Sequence, residues 1–95
     1  MIHTKIYVIK LTEDIEGNGT SVTNKFVVIN SKERAVEAQK MAFYSCLDYW
    51  MREWDYKGER PLEEVFEIIE KEDCLVALAH DCDEIYCDIE VVNEF

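Results

Sequence analysis

The chain has 95 residues, of which 48% are hydrophobic, and 10 Lys and Arg stand against 21 Asp and Glu for a net charge of −11. This length and apolar fraction fit one small domain over residues 1–95 and exclude wholesale disorder. Nucleic acid is excluded as a direct ligand, because neutralising phosphates requires a basic surface. No apolar run approaches the ~20 residues needed to cross a bilayer, and the first residues lack the layout of a signal peptide. We therefore expect a cytoplasmic protein that does not bind membranes.

The N-terminal part predicts two antiparallel strands. The stretch Thr4–Leu11 is rich in β-branched and aromatic side chains, and a second strand ends with Phe26–Ile29. Between them lies Asn18-Gly19, the dipeptide preferred in two-residue hairpin turns. A loose loop over the polar residues 13–24 is the alternative. The tight turn would place apolar side chains opposite each other, pairing Ile15 with Val22, Leu11 with Phe26 and Ile9 with Val28.

A long amphipathic helix is predicted over residues 32–56. Asn30 or Ser31 can cap its N-terminus, and Glu33 suits the positive end of the helix dipole. Apolar side chains spaced by about one or two helical turns define its buried face. They are Val36, Phe43, Leu47, Trp50 and Trp54. The residues Tyr49, Met51 and Tyr56 fall outside this face, which favours either packing against a second helix or an interface with another molecule.

The C-terminal half predicts a second helix and further strands. Pro61 suits the first turn of a helix. The buried stripe of this helix would be Leu62, Val65, Phe66 and Ile69. A short apolar run, Cys74–His80, precedes the stretch Glu84–Val92, which alternates like a half-buried strand. The predicted fold is α+β: a single small domain with element order β-β-α-α-β-β, in which an antiparallel sheet of about four strands packs against one long and one short helix.

The charge is concentrated in the second half of the chain. Residues 1–47 contain six basic and five acidic residues, a net of +1, whereas residues 48–95 contain four basic and sixteen acidic residues, a net of −12. Acidic side chains fall on the exposed side of the predicted second helix and, spaced by ~6.6–7 Å, on one face of the last strand. Tyr86 lies among these acidic residues, and its flat ring is expected to pack against the partner. The candidate partner-binding residues are Glu63, Glu67, Glu70, Glu84, Tyr86, Asp88 and Glu90.

The cysteines do not form a recognisable metal motif. The residues Cys74, His80, Cys82 and Cys87 have the spacing C-x5-H-x-C-x4-C, which lacks the closely paired ligands of structural zinc sites. Cys87 alternates with apolar residues of the last strand and is expected in the core, whereas Cys82 is expected at an exposed turn. We therefore expect no metal and no cofactor. No Gly-rich phosphate loop and no nucleophile motif occurs either, so we expect no enzymatic activity.

These observations favour a non-enzymatic interaction module. A row of carboxylates on a rigid strand can occupy a basic groove that normally holds a nucleic-acid backbone, so the expected partner is a basic, nucleic-acid-binding protein and the expected role is inhibition. In size, charge and lack of catalytic motifs the chain is similar to the small acidic inhibitors of phages and mobile elements, such as DNA mimics and anti-CRISPR proteins, although no residue motif carries that similarity. Two alternatives remain: a solvated acidic surface, and a small assembly protein that forms homodimers through the aromatic face of the long helix.

Overall fold

The computed structural model describes residues 4–15, 21–54, 60–79 and 83–94. Within them, the chain forms five strands and two helices. In chain order these are β1 (Thr4–Asp14), β2 (Ser21–Ile29), α1 (Lys32–Trp54), α2 (Leu62–Val65), β3 (Glu67–Lys71), β4 (Cys74–Ala79) and β5 (Asp83–Glu94). The strands form one antiparallel sheet in the order β2-β1-β5-β4-β3. The α+β class and the antiparallel sheet were predicted correctly.

The two longest strands, β1 and β5, lie side by side in the middle of the sheet. They pair from Thr4 opposite Glu94 to Asp14 opposite Glu84. Side chains of successive residues alternate between the two faces of a sheet, so every second residue of these strands points to the same side. One face is buried beneath α1 and forms the core. Its buried side chains are Tyr7, Ile9, Leu11, Leu75, Ala77, Ala79, Ile85, Cys87 and Ile89. The predicted alternation of the last strand is thereby confirmed.

Helix α1 lies across this face and packs mainly on β1 and β5. It begins as predicted, because the backbone N–H of Arg34 donates to Ser31 Oγ at 3.2 Å. In the described residues the helix ends at Trp54, and the predicted end at Tyr56 lies outside them. The prediction that Phe43 and Leu47 are buried is confirmed. The other predicted core residues of the helix, Val36, Trp50 and Trp54, are half-buried, whereas Ala35, Gln39 and Cys46 are buried.

The predicted second helix is mostly wrong. Helix α2 ends at Val65, and the next residues form β3, which pairs with β4. The spacing of Val65, Phe66 and Ile69 fits a helix, but the same stretch contains the β-branched pair Ile68-Ile69, which suits a strand. Pairing with β4 decides between the two, and Asp73 makes the tight turn possible by adopting a positive φ of 60°. The sheet therefore has five strands instead of four, and the element order along the described chain is β-β-α-α-β-β-β.

The predicted register between the first two strands is also wrong. Ile9 lies opposite Phe26, and Leu11 lies opposite Asn24, a shift of two residues from the predicted pairing. The last described pair before the connection is Asp14 with Ser21. The turn residues themselves lie outside the described part. A shift by two keeps every side chain on its face, which is why the apolar pattern alone did not distinguish the two registers.

One polar side chain ties the helix to the sheet inside the core. Gln39 is buried, and its Nε2 donates to the backbone oxygen of Cys87 at 2.7 Å. This hydrogen bond satisfies an amide that would otherwise be costly to bury. It also fixes the position of α1 along β5.

We expect Gln39→Met to lower the free energy of unfolding by about 1–2 kcal/mol, because the side chain keeps its volume but loses the hydrogen bond to Cys87. Lys40→Ala, on the exposed side of the same helical turn, should change it by less than about 0.5 kcal/mol. Denaturant unfolding at one fixed protein concentration measures both variants. A Gln39→Met protein as stable as the wild type would contradict this role of the hydrogen bond.

Candidate functional site

The face of the sheet that points away from α1 is the candidate site, and we call it the open face. Its side chains follow from the strand registers and the alternation of residues along each strand. All of them except Thr12 are half-buried or exposed. On the five strands they are Ile6, Val8, Lys10, Thr12 and Asp14; Ser21, Thr23, Lys25, Val27 and Ile29; Glu67, Ile69 and Lys71; Cys74, Val76 and Leu78; Glu84, Tyr86, Asp88, Glu90 and Val92.

The open face brings together five of the seven predicted partner-binding residues. The side chains of Glu67, Glu84, Tyr86, Asp88 and Glu90 all belong to it. The structure does not bring Glu63 and Glu70 to this face. Glu63 is exposed on α2, and Glu70 points to the opposite side of the sheet, where it accepts a hydrogen bond from the Tyr44 hydroxyl at 3.1 Å. The acidic helical surface predicted for Glu63, Glu67 and Glu70 therefore does not exist, because Glu67 and Glu70 lie in a strand and face opposite ways.

Two of these acidic residues have basic neighbours. Lys10 lies opposite Asp88 in the register, and its Nζ forms an ion pair with Glu90 Oε2 at 2.6 Å. The hydrogen bond and the charge of Lys10 lower the pKa of Glu90, with a smaller effect from Lys25. In return, Glu90 raises the pKa of Lys10. The middle of the open face is therefore electrically mixed, unlike the uninterrupted acidic strand that the sequence predicts.

Three carboxylates lie together at one end of the open face. Asp14 and Glu84 lie directly opposite each other on neighbouring strands, and Glu67 lies two strands further along the same line, beyond Leu78. We call these three residues the acidic row. None of the ion pairs among the described residues involves them. Like charges that face each other across two strands destabilise a sheet, so the pairing of Asp14 with Glu84 carries a cost in the free chain.

An apolar strip borders the acidic row. Tyr86 and Val76 lie opposite each other on β5 and β4, and Ile69 continues the line on β3. All three side chains are half-buried, with no described element covering them. Flat aromatic and branched apolar side chains beside charged residues are typical of the desolvated centre of a protein interface.

A second concave region, which the sequence analysis missed, lies between β2 and α1. We call it the β2 groove. A cavity of about 440 Å³ is lined by Phe26, Val27, Val28, Ala38, Met41, Ala42 and Ser45. A neighbouring cavity of about 650 Å³ extends past Phe26 to Trp50 and Glu13. The signal for it is Phe26–Ile29, an unbroken apolar run that is apolar on both faces of a strand at the edge of the sheet.

The aromatic residues of α1 are mostly turned inward. Trp50 donates its Nε1 hydrogen to Glu13 at 2.7 Å, and its ring contacts Trp54, with 5.3 Å between the ring centres. Trp54 in turn lies against Phe66, with ring centres 5.6 Å apart. Tyr49 is the aromatic residue of the helix that is exposed. The aromatic face expected to mediate self-association thus contributes largely to packing within the chain.

The three described cysteines are poorly suited to nucleophilic chemistry. Burial is the main cause that raises the pKa of Cys46, and it raises that of Cys87 to about 12 and that of Cys74 to about 11. Little thiolate is present at neutral pH under these conditions. The predicted burial of Cys87 is confirmed, and Cys46 is buried as well.

The geometry also separates two members of the predicted cysteine cluster. Cys87 points into the core beneath α1, whereas Cys74 belongs to the open face. Two side chains on opposite faces of a sheet cannot ligate one tetrahedral ion. The other two members of the cluster, His80 and Cys82, lie outside the described residues. Among the residues described, no group of three or more His, Cys, Asp or Glu side chains has a geometry suited to a metal ion.

Comparisons with protein-family models, with curated protein sequences and with solved structures find no match to this chain. Neither helix in the described part of the chain combines the length and the apolar character needed to cross a membrane.

The ion pair on the open face can be tested directly. We expect Lys10→Met to raise the pKa of Glu90 towards its ordinary value of 4.5, because the side chain loses its main hydrogen-bond donor and nearest positive charge. In the wild type the lowered pKa means that the pair stabilises the fold above the unfolded-state pKa of Glu90. This contribution is lost as the pH falls through the folded-state pKa.

An NMR titration of the Glu90 carboxyl carbon measures the effect. Lys71→Met, at the far edge of the sheet, serves as the control and should leave the titration unchanged. The pairing is refuted if Glu90 titrates in Lys10→Met as it does in the wild type.

Proposed function

We propose that the chain is a non-enzymatic interaction module that binds a basic, nucleic-acid-binding protein through the acidic end of its open face. The observation that carries the proposal is the acidic row, Asp14, Glu84 and Glu67, on a sheet face that no described element covers. By occupying the groove that holds the nucleic-acid backbone, the module would inhibit its partner. The proposed partner class is thus the one expected from the sequence, but the contact surface is reduced and shifted.

The spacing of the carboxylates supports this kind of contact. Neighbouring strands of a sheet lie about 4.8 Å apart, so Asp14 and Glu84 are separated by one such step and Glu84 and Glu67 by two. A basic groove that follows a nucleic-acid backbone holds Lys and Arg side chains several ångströms apart. The strands fix the backbone positions of the carboxylates before binding, so the conformational entropy lost on contact is that of the side chains and not of the backbone.

The cost of the acidic row in the free chain also favours a basic partner. Asp14 and Glu84 repel each other when they face solvent, and a Lys or Arg placed between them would remove that repulsion. The apolar strip of Tyr86, Val76 and Ile69 would supply the desolvated centre that charged contacts alone do not provide. The net charge of −11 would accelerate association with a basic partner and make it sensitive to salt.

The test reverses charge on the open face without breaking an internal ion pair. In Glu67→Lys/Glu84→Lys, a lysine at position 84 would face Asp14 favourably, so the thermal stability should be unchanged or higher. The matched control, Glu37→Lys/Glu53→Lys, makes the same change in net charge on exposed positions of α1. Glu90 is unsuitable for this test because its reversal would break the pair with Lys10.

Immobilised wild-type chain is used to capture proteins from a nuclease-treated lysate of the native host, with a DNA duplex and an RNA as competitors. We expect basic nucleic-acid-binding proteins to be retained by the wild type and by the α1 control, to be displaced by one of the competitors, and to be lost from Glu67→Lys/Glu84→Lys. Equal retention by the two double variants, or equal loss from both, would show that the acidic row is not the contact surface.

A further inference from the structure

We propose that two copies of the chain pair through β2, antiparallel and about a two-fold axis, so that their sheets join into one ten-stranded sheet. This inference is independent of the proposed partner, because it uses the opposite edge of the sheet from β3 and different residues. It rests on four observations: the exposed edge of β2, its outward backbone groups, its apolar side chains and the distribution of charge.

The two edges of the sheet differ in how they are protected. The strand β3, at one edge, is five residues long and carries Glu67, Glu70 and Lys71, which are features that discourage further strand pairing. The strand β2, at the other edge, is nine residues long and carries a single charged residue, Lys25. A long, apolar edge strand binds other strands readily unless something covers it. In the described residues, β2 has a neighbour on one side, namely β1.

The hydrogen bonding of β2 identifies which backbone groups face outward. The N–H of Asn30, next to the strand, donates to the backbone oxygen of Lys5 at 2.8 Å. Because backbone groups alternate in direction along an antiparallel strand, the even-numbered residues of β2 pair with β1 and the odd-numbered residues point away from it. The outward residues are Ser21, Thr23, Lys25, Val27 and Ile29. Each presents an N–H and a C=O in the geometry that a further antiparallel strand requires.

The side chains around this edge are unusually apolar for solvent. Phe26 is 45% exposed, Val27 60% and Ile29 59%, and Met41 of α1, beside the strand, is 65% exposed. Phe26, Val27 and Met41 all line the β2 groove, although the side chain of Val27 belongs to the open face. Pairing of two β2 strands would bury this apolar edge. It would also bury the adjoining groove, because the helices of both copies would lie on the same face of the joined sheet.

A second copy fits this edge in register. A two-fold axis normal to the sheet places odd-numbered residues of one copy opposite odd-numbered residues of the other. The paired strands can be centred on Phe26, which pairs the seven residues 23–29 of each copy. In that arrangement Lys25 of one copy faces Val27 of the other, and Thr23 faces Ile29, while the two Phe26 rings meet at the grooves. No like charges face each other. Centring on Lys25 would oppose two ammonium groups and is disfavoured.

The charge distribution favours a second copy at this edge and nowhere else on the sheet. The strand β2 belongs to the half of the chain with a net charge of +1, whereas the other half carries −12. In the paired sheet, Glu84 of one copy lies five strand spacings, about 24 Å, across the sheet from Glu84 of the other, and the two are also offset by about ten residues along the strands. This exceeds the ~8 Å screening length at physiological salt, so the acidic halves do not oppose the association strongly.

The proposal is tested by removing one outward N–H. Val27→Pro removes it from the edge without touching the ladder to β1, and proline is tolerated on edge strands. Val27→Thr keeps both the N–H and the β-branched shape and is the matched control. By sedimentation over a dilution series, we expect the wild type and Val27→Thr to reach twice the chain mass of 11.2 kDa. Val27→Pro should stay at the mass of one chain, and its circular dichroism spectrum should match that of the wild type.

Amide hydrogen exchange on the wild type gives an answer even if Val27→Pro fails to fold. In the paired sheet the outward amides of Thr23, Lys25, Val27 and Ile29 should be protected at high concentration and lose that protection on dilution, while the amides of Phe26 and Val28 stay protected throughout. A wild type that is monomeric at every concentration overturns the proposal and leaves the edge to a strand from another protein. A Val27→Pro dimer also overturns it, because association then uses another surface.

Discussion

The structure depends on one constraint: a single helix must cover a five-stranded sheet. The connection from β2 to β3 joins opposite edges, and α1 lies within it across one face. A helix with its side chains is about 10 Å wide, whereas four strand spacings amount to about 19 Å. The helix therefore buries β1 and β5 around Phe43 and Leu47, and the Gln39 hydrogen bond fixes it there. No element among the described residues covers the edge at β2 or the opposite face of the sheet.

These two exposed regions differ in chemistry. The open face is polar and charged in its middle, where Lys10 pairs with Glu90, and its acidic row forms no ion pair among the described residues. The β2 groove is apolar and lies in the half of the chain with little net charge. Because the acidic row and the β2 groove share no residue, a dimer formed through β2 would present two acidic rows, one at each side of the joined sheet. Assembly and partner binding are thus compatible, and bivalent display would strengthen binding to a partner with two basic grooves.

Local patterns in the sequence predicted the elements whose burial is periodic, and failed where distant pairing decides. The alternation around Ile85 and Cys87 and the Ser31 cap of α1 depend on neighbouring residues, and both predictions were confirmed. The stretch Val65–Ile69 fits either a helix or a strand, so its outcome depends on β4. The candidate site follows the same rule. Five residues of the open face were among the predicted site residues. The pairing of Lys10 with Glu90 and the place of Asp14 in the acidic row depend on the β1–β5 register, which no local pattern contains.

The central claim, that the sheet is covered on one face, can be measured through the methyl groups of adjacent residues on the same strand. A neutral paramagnetic chelate in dilute solution relaxes methyl groups that solvent can reach. The account predicts strong relaxation at Val76 and Leu78, on the open face of β4, and weak relaxation at Leu75 and Ala77, beneath α1. Equally weak relaxation at all four residues in the monomer would show that both faces are covered, and would contradict the account.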